Sequence, residues 1–211
     1  MDHIVVDVEI IKDPLTVPNG WRATDQLGVS VAVTYGFGSD RFRVYGPNDL
    51  DSLRERVLRA DRVTTFNGWN FDFPVIWGVS ADGWWKDMAS RNPAAHRLFE
   101  TSDDLLRRAW ISQGLNPDEF IATTHGGFGL ENFGRGTLNR GKIGKGDKIP
   151  QMFADGNWAG VVTYCIDDVA LTRDLVRIAD RDGAITAIRS GNRVVRCEMG
   201  PWAHTEPLLK P

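Results

Sequence analysis

The chain has 211 residues, 42% hydrophobic and 25% charged, with 22 Gly and 8 Trp as its only biases; that is enough chain to bury one full core, and the usage excludes collagen, coiled coil and disorder. A formal net charge of −3 gives no global basic field, so a nucleic-acid partner would need a local patch or metal ions that offset acidic groups. Uninterrupted apolar runs such as Ile4 to Val6 and Val75 to Trp77 are far below the roughly 20 residues of a membrane span, and no basic segment leads into an apolar signal core, so a cytoplasmic protein without a membrane partner is expected.

The segment HIVVDVEII alternates and is rich in β-branched residues, which predicts a strand with Asp7 and Glu9 on one face. After a loop with Pro14, Pro18 and Gly20, the runs LGVSVAVTYGF and RFRVYG flank a GSD turn and predict an antiparallel hairpin. In PNDLDSLRERVLRAD, Leu50, Leu53, Val57 and Leu58 recur at helical spacing behind an Asn48/Asp49 cap. RVTTFNG then returns as a short strand that stops at Asn67-Gly68. The order so far is βββαβ.

NFDFPVIWGV predicts a short helix opened near Pro74. From Ala81 to Ala95, with Trp84, Trp85 and Pro93, the pattern is irregular and reads as loop or short helix. SDDLLRRAWIS fits strand and helix alike by periodicity. GLENFGRGTLN predicts a short helix, and RGKIGKGDKIP a Gly-rich basic loop. NWAGVVTYCIDDVALTRDLVRIADRDG is the strongest helix of the chain, with Val161, Cys165, Val169, Leu171, Leu175, Ile178 and Ala179 along one side and Gly183 as its stop. AITAIRS and RVVRCEM predict a terminal hairpin around Gly191-Asn192. With no internal repeat, low-complexity segment or long linker, residues 1–211 read as one domain. Cys165 and Cys197 lack a CxxC or a His at ligand spacing, so both are expected to be reduced and structural, as the four His are expected to be structural or superficial.

Three acidic groups stand out. Asp7 and Glu9 occupy the middle of an apolar strand, an expensive place for two negative charges unless a cation neutralises them. Paired carboxylates on one strand face suit hard ions such as Mg²⁺ or Mn²⁺; alternatively, both lie on the solvent face of an edge strand. Asp72 follows a strand and an Asn-Gly turn and is enclosed by Phe71, Phe73 and Pro74; it either joins the acidic site or caps the next helix. Tyr164 and Asp168 are four residues apart on the strong helix and share one face, whereas Asp167 lies about 100° around it and reads as solvated or, at most, a supporting group.

Taken in order, Asp7-x-Glu9, the segment from Asn67 and Gly68 to Phe71-Asp72-x-Pro74, and Tyr164-x-x-x-Asp168 resemble the three exonuclease motifs of the DEDD family of 3′→5′ exonucleases. The likeness is to the DnaQ-like branch of the ribonuclease H-like superfamily in its tyrosine-bearing form, which includes the proofreading domains of family A and B DNA polymerases. In the histidine-bearing form a His stands five residues before the last Asp, where this chain has Thr163. The resemblance runs from Asp7 to Asp168 and implies an α/β fold of ribonuclease H type: a mixed central sheet beginning βββαβ, flanked by helices, here with a C-terminal β-hairpin.

It also implies a chemistry. Asp7, Glu9 and Asp168 would hold one Mg²⁺ or Mn²⁺ that activates the attacking water, and Asp7 would bridge to a second that stabilises the leaving 3′ oxygen, with Asp72 acting on it largely through water. Tyr164 would orient or help deprotonate the water. The substrate implied is a single-stranded 3′ end, DNA more than RNA, with Ile10, Ile11 and Phe71 against the terminal nucleotide, Asn67 approaching the strand, and Trp69 as a further stacking candidate. Core packing is the competing reading for Phe71, and a turn role for Asn67. Arg140, Lys142 and Lys145, in a loop with Arg135 and Lys148, read as a phosphate-guiding flap or as a solvated charge run. A separate DNA polymerase or replication protein fits as a partner.

Two rivals remain at this level. A haloacid-dehalogenase-type phosphatase also opens with two acids on a strand, but its second is Asp where this chain has Glu9, and it has no use for Tyr164-x-x-x-Asp168. A catalytically silent nucleic-acid-binding or scaffold module on the same fold is the other, and an exoribonuclease is the variant within the leading reading.

Overall fold

Alternation along β1 (His3–Ile10) builds two cores from one strand: Ile4, Val6, Val8 and Ile10 enter one buried cluster and Val5 the other. Asp7 and Glu9 share the side of Val5, as the period of two requires. The computed structural model describes residues 1–82, 93–200 and 202.

β1 is the central strand of a five-stranded sheet ordered β3-β2-β1-β4-β5. A single helical turn, α1 (Thr24–Leu27), leads into β2 (Val29–Gly36), which pairs antiparallel with β1 and with β3 (Arg41–Tyr45). Helix α2 (Leu50–Arg59) buries Leu53 and Val57 and crosses to β4 (Arg62–Thr65), which lies parallel to β1. The expected βββαβ order is therefore the order the chain forms.

Beyond β4 come α3 (Asp72–Trp77) and α4 (Pro93–Thr101); the expectation for Ala81 to Ala95 falls largely on residues outside the described set. SDDLLRRAWIS, ambiguous by periodicity, forms both structures. Its first three residues are β5 (Ser102–Asp104), parallel to β4, and the rest is α5 (Leu105–Ser112). The switch occurs at Asp104, whose carboxylate accepts from Leu106 N at 3.0 Å and Arg107 N at 3.2 Å and so caps the helix.

α6 (Ala122–His125), α7 (Leu130–Leu138) and α8 (Ile149–Ala154) precede the long helix α9 (Trp158–Asp182). Asn157 starts α9 by accepting from Gly160 N at 3.1 Å. Gly183 ends it at φ 70°, the left-handed position where a Cβ is disfavoured. α9 covers the Val5 side of the sheet, with Val161, Cys165, Val169, Leu171, Leu175, Val176 and Ala179 buried in one cluster with Val31 and Val33. The hairpin β6 (Ala184–Arg189) and β7 (Arg193–Glu198) turns through Gly191 and Asn192, both at positive φ, and makes a second sheet of two strands. Thr137 on α7 pins it, donating to Thr186 O at 2.9 Å and accepting from Thr186 N at 2.8 Å.

The far edge is tied by buried charge. Arg62 donates to Asp103 at 2.9 Å and to Asp180 on α9 at 2.7 Å, while Arg108 reaches Asp103 from α5 at 2.7 Å. Burial alone would raise the Asp103 carboxyl, but Arg108 and Arg62 outweigh it and hold it below the usual carboxylate range. Both cysteines are free and buried. Among the described residues no helix is long and apolar enough to cross a membrane.

Candidate active site

The acids meet where the parallel strands end, the side on which open α/β sheets bind ligands. β4 pairs with β1 only from His3 to Val5. Past Thr65 the chain leaves the sheet through Asn67, at φ 71°, and Gly68, where a Cβ would stand 2.4 Å from Thr65 Cβ. Asp104 fixes this turn, accepting from Asn67 N and Trp69 N at 3.0 Å each, and Phe73 N donates to Gly68 O at 2.8 Å. Asp72 thereby arrives beside β1, and its Oδ1 accepts from Val8 N at 3.0 Å. The capping alternative is not what forms: the N-cap of α3 is Phe71, without a side-chain cap, and the Asp72 carboxylate binds β1 instead.

α9 supplies the opposite wall. Tyr164 and Asp168 lie one turn apart on its buried face, with Cys165 between them. Cys165 Sγ stands 3.5 Å from Asp7 Oδ2 and 3.6 Å from Asp7 O. Donor atoms of Asp7, Glu9 and Cys165 lie within 4.8 Å of one another. Lys142 enters from the Gly-rich loop: its Nζ is 2.5 Å from Asp168 Oδ2 and 4.8 Å from the Tyr164 ring centroid. Its backbone N donates to Glu131 Oε2 at 2.5 Å, which ties the loop to α7. Asp168 Oδ1 and the Tyr164 hydroxyl are buried with no hydrogen-bond partner among the described residues.

Burial dominates the electrostatics. It pushes the Asp7 carboxyl up to about 7, with the charge of Asp168 adding to it. Glu9 is pushed well up by burial and then by Asp7 and Asp168, and Asp72 by burial and then Asp7. Asp168 is raised by burial although Lys142 opposes this. The Cys165 thiol is raised by burial and by Asp7, so it stays protonated and serves as a donor to Asp7. Burial likewise raises the Tyr164 phenol. For Lys142 burial works against the charge, but Asp168 outweighs it and the ammonium persists.

Four carboxyls around one ammonium form a set of hard oxygen donors short of positive charge, with one carboxylate oxygen unpartnered. Mg²⁺ and Mn²⁺ fit such a set, because they take carboxylate oxygens and keep positions for water and phosphate.

Ile10 is 3% exposed in the core, so it has no surface to offer a ligand, whereas Ile11 is partly exposed. Asn67 and Phe71 are partly exposed, and the Phe71 ring meets Trp21. Trp69 is buried beside Phe73 and Phe99. Arg140 pairs with Asp167 and, at 3.6 Å, with Asp174 on α9. Asp167, read as solvated or as a supporting group at most, is not solvated: its side chain is largely buried in that pair. Lys145 is exposed and forms no ion pair among the described residues.

Three supporting residues escaped the sequence. Asp104 had a signal, an acid directly before the apolar start of a helix. Glu131 and Cys165 had none, because their partners are 11 and 158 residues away.

No family model matches the chain, and no curated protein matches it. Among solved structures it is similar to the family B DNA polymerase from the hyperthermophilic archaeon Pyrobaculum calidifontis, at 14% identity and a TM-score of 0.46 over 85% of this chain. The matched region is 24% of the polymerase, so the chain spans about a quarter of that protein's length.

Proposed function

We propose that the chain is a metal-dependent 3′→5′ exonuclease that hydrolyses phosphodiester bonds at single-stranded 3′ ends, DNA in preference to RNA, on a ribonuclease H-like fold. The observation that carries this reading is the gathering of Asp7, Glu9, Asp72 and Asp168 around β1 with Lys142 as the one cation paired to any of them among the described residues. Buried like charges destabilise a fold unless a cation offsets them.

Asp7, Glu9 and Asp168 would hold one Mg²⁺ or Mn²⁺, and Asp7 with Asp72 a second. When bound, such ions supply charge neutralisation at the phosphate, an acidified water and relief for the leaving oxygen. The protein's own groups do the rest. Tyr164, held protonated by burial, orients water through its unpartnered hydroxyl rather than acting as a phenolate base. Val8 N fixes the Asp72 carboxylate and the Cys165 thiol fixes that of Asp7, so both are aimed before any ligand arrives. Lys142, paired to Asp168, opposes the effect of burial and favours the ionised form of that carboxylate.

The pair between Lys142 and Asp168 is also what a silent scaffold module would use to quiet an acidic cluster. One ammonium offsets one carboxylate, however, and leaves Asp7, Glu9 and Asp72 to be neutralised by the protons burial makes them hold or by a metal. Digestion of end-labelled single- and double-stranded DNA and RNA with Mg²⁺, Mn²⁺ or EDTA tests the proposal. Stepwise loss of nucleotides from single-stranded 3′ ends, abolished by EDTA, is the expected result; no hydrolysis with either metal leaves the scaffold reading. A separate DNA polymerase or replication protein would present such ends.

A further inference from the structure

Cys165 on α9 turns its thiol into the acid cluster. Its Sγ stands 3.5 Å from Asp7 Oδ2, and donor atoms from Asp7, Glu9 and Cys165, one of each, lie within 4.8 Å of one another. A tetrahedral Zn²⁺, with Zn–S of about 2.3 Å and Zn–O of about 2.1 Å, sets a sulfur and an oxygen ligand about 3.6 Å apart. Cys165 and Asp7 therefore already stand at the separation of two ligands of one ion. Glu9 offers a third donor that nothing else claims: it is 7% exposed, and its carboxylate takes no hydrogen bond and no ion pair among the described residues. Asp168 differs, because Lys142 sits on one of its oxygens. Asp7 keeps part of its surface open, which gives an ion a way in.

We propose that Asp7, Glu9 and Cys165 form a carboxylate–thiolate site for Zn²⁺, and that Zn²⁺ held there excludes Mg²⁺ and Mn²⁺ from the acid pair. The inference rests on the exonuclease reading for the meaning of that exclusion, whereas the ligand set stands on the distances. Sulfur is what selects: a thiolate suits Zn²⁺, while Mg²⁺ and Mn²⁺ prefer carboxylate and water oxygen. As the Zn–S bond forms, the Cys165 proton leaves to solvent, together with any proton on Asp7 or Glu9. Burial and Asp7 hold the thiol proton in the free protein, and a coordinated cation reverses their effect. The fourth position is left to water.

The test uses Co²⁺, which enters zinc sites and shows a thiolate-to-metal charge-transfer absorption only when sulfur is bound. Titrating Co²⁺ into the full reduced chain without nucleic acid should produce that band, and added Zn²⁺ should abolish it. The band should be absent from Cys165→Ser, which keeps a hydrogen-bond donor to Asp7, and present in Cys197→Ala, which removes the other buried thiol. If Cys165→Ser fails to fold, Cys165→Ala takes its place. By calorimetry, Cys165→Ser should lower the ratio of Zn²⁺ to Mn²⁺ affinity by more than about 10-fold, the least that loss of a mere supporting group costs a metal site. Zn²⁺ should also release Mn²⁺ bound to the unmodified chain, read by the paramagnetic resonance of the freed ion. A band that persists in Cys165→Ser, no band at all, an unchanged affinity ratio, or Mn²⁺ retained in the presence of bound Zn²⁺ would overturn the proposal. Failure of the chain to cut DNA with Mg²⁺ or Mn²⁺, with the Cys165-dependent band present, would overturn the exonuclease reading alone.

Discussion

Replacing Asp7 by Asn keeps the shape of the acid cluster and removes one of its charges, so its effect on stability follows from the protonation of Asp7. An unfolded Asp titrates near 3.9, and in the folded chain burial, with Asp168 adding, pushes the Asp7 carboxyl up to about 7. The folded state therefore holds this proton more tightly than the unfolded state. The resulting stability is fully present below about pH 4 and is lost as pH rises through about 7. Above that, a gap of about three pH units at 1.36 kcal/mol each sets a ceiling of about 4 kcal/mol on the cost of the ionised group. In a chain of this size 1 kcal/mol moves Tm by about 2–4 °C. Melting followed by circular dichroism in EDTA should find Asp7→Asn close to the parent at pH 4 and several degrees above it at pH 8.5. Mn²⁺ should raise the Tm of the parent and leave that of Asp7→Asn almost unmoved, and hydrolysis should be lost in the variant. A Tm difference independent of pH, or a variant that melts below the parent at pH 8.5 in EDTA, would refute the burial argument.

Tyr164→Phe should slow hydrolysis by about one to three orders of magnitude in single-turnover assays with little change in strand affinity. Gly68→Ala, which sets a Cβ 2.4 Å from Thr65 Cβ, should cost about 1–3 kcal/mol in urea unfolding and, by shifting the turn that aims Asp72, weaken Mn²⁺ binding by calorimetry. The joint change of Arg140, Lys142 and Lys145 to Ala should flatten the salt dependence of strand binding by about 0.7, the coefficient of one single-strand contact. Arg140 and Lys142 are already paired to carboxylates of α9, and Lys145→Ala alone should give nearly the whole effect.

Much of this architecture can be read from periodicity. A strict period of two places Asp7 and Glu9 on the face of Val5, and the apolar stripe from Val161 to Ala179 gives α9 and its buried side. The same period, carried one residue further, already separates Ile10 from Glu9 and sends it into the core, so grouping Ile10 with Ile11 as a ligand contact neglected the alternation itself. Other features depend on distance in space. β5 is three residues long, too short to show a period, and becomes a strand because β4 offers it an edge. Asp72 binds β1 because β4 leaves the sheet early, which no local pattern in either segment records. Spacing put Asp167 outside the tyrosine face but could not show that Arg140 folds back onto it, since a long flexible cation takes whichever carboxylate the loop brings within reach.

β1 is the common template: Val8 N holds Asp72 from one side, and Asp7 receives the thiol of Cys165 from the other. Asp7, Asp72 and Asp168 therefore sit on elements that pack in the core and tie back to one strand, and their mutual repulsion cannot be relieved by moving apart. Relief comes either from the protons that burial makes these carboxyls retain or from a metal cation that displaces them. The loop that carries Lys142 can supply one charge, anchored through Glu131 and Arg140 to α7 and α9. Because Lys142 takes only one oxygen of Asp168 and the other stays unpartnered in a buried site, the protein's own cation leaves the cluster with acceptor capacity to spare and, once the raised carboxyls give up their protons, with negative charge as well. A divalent ion supplies what is missing on both counts.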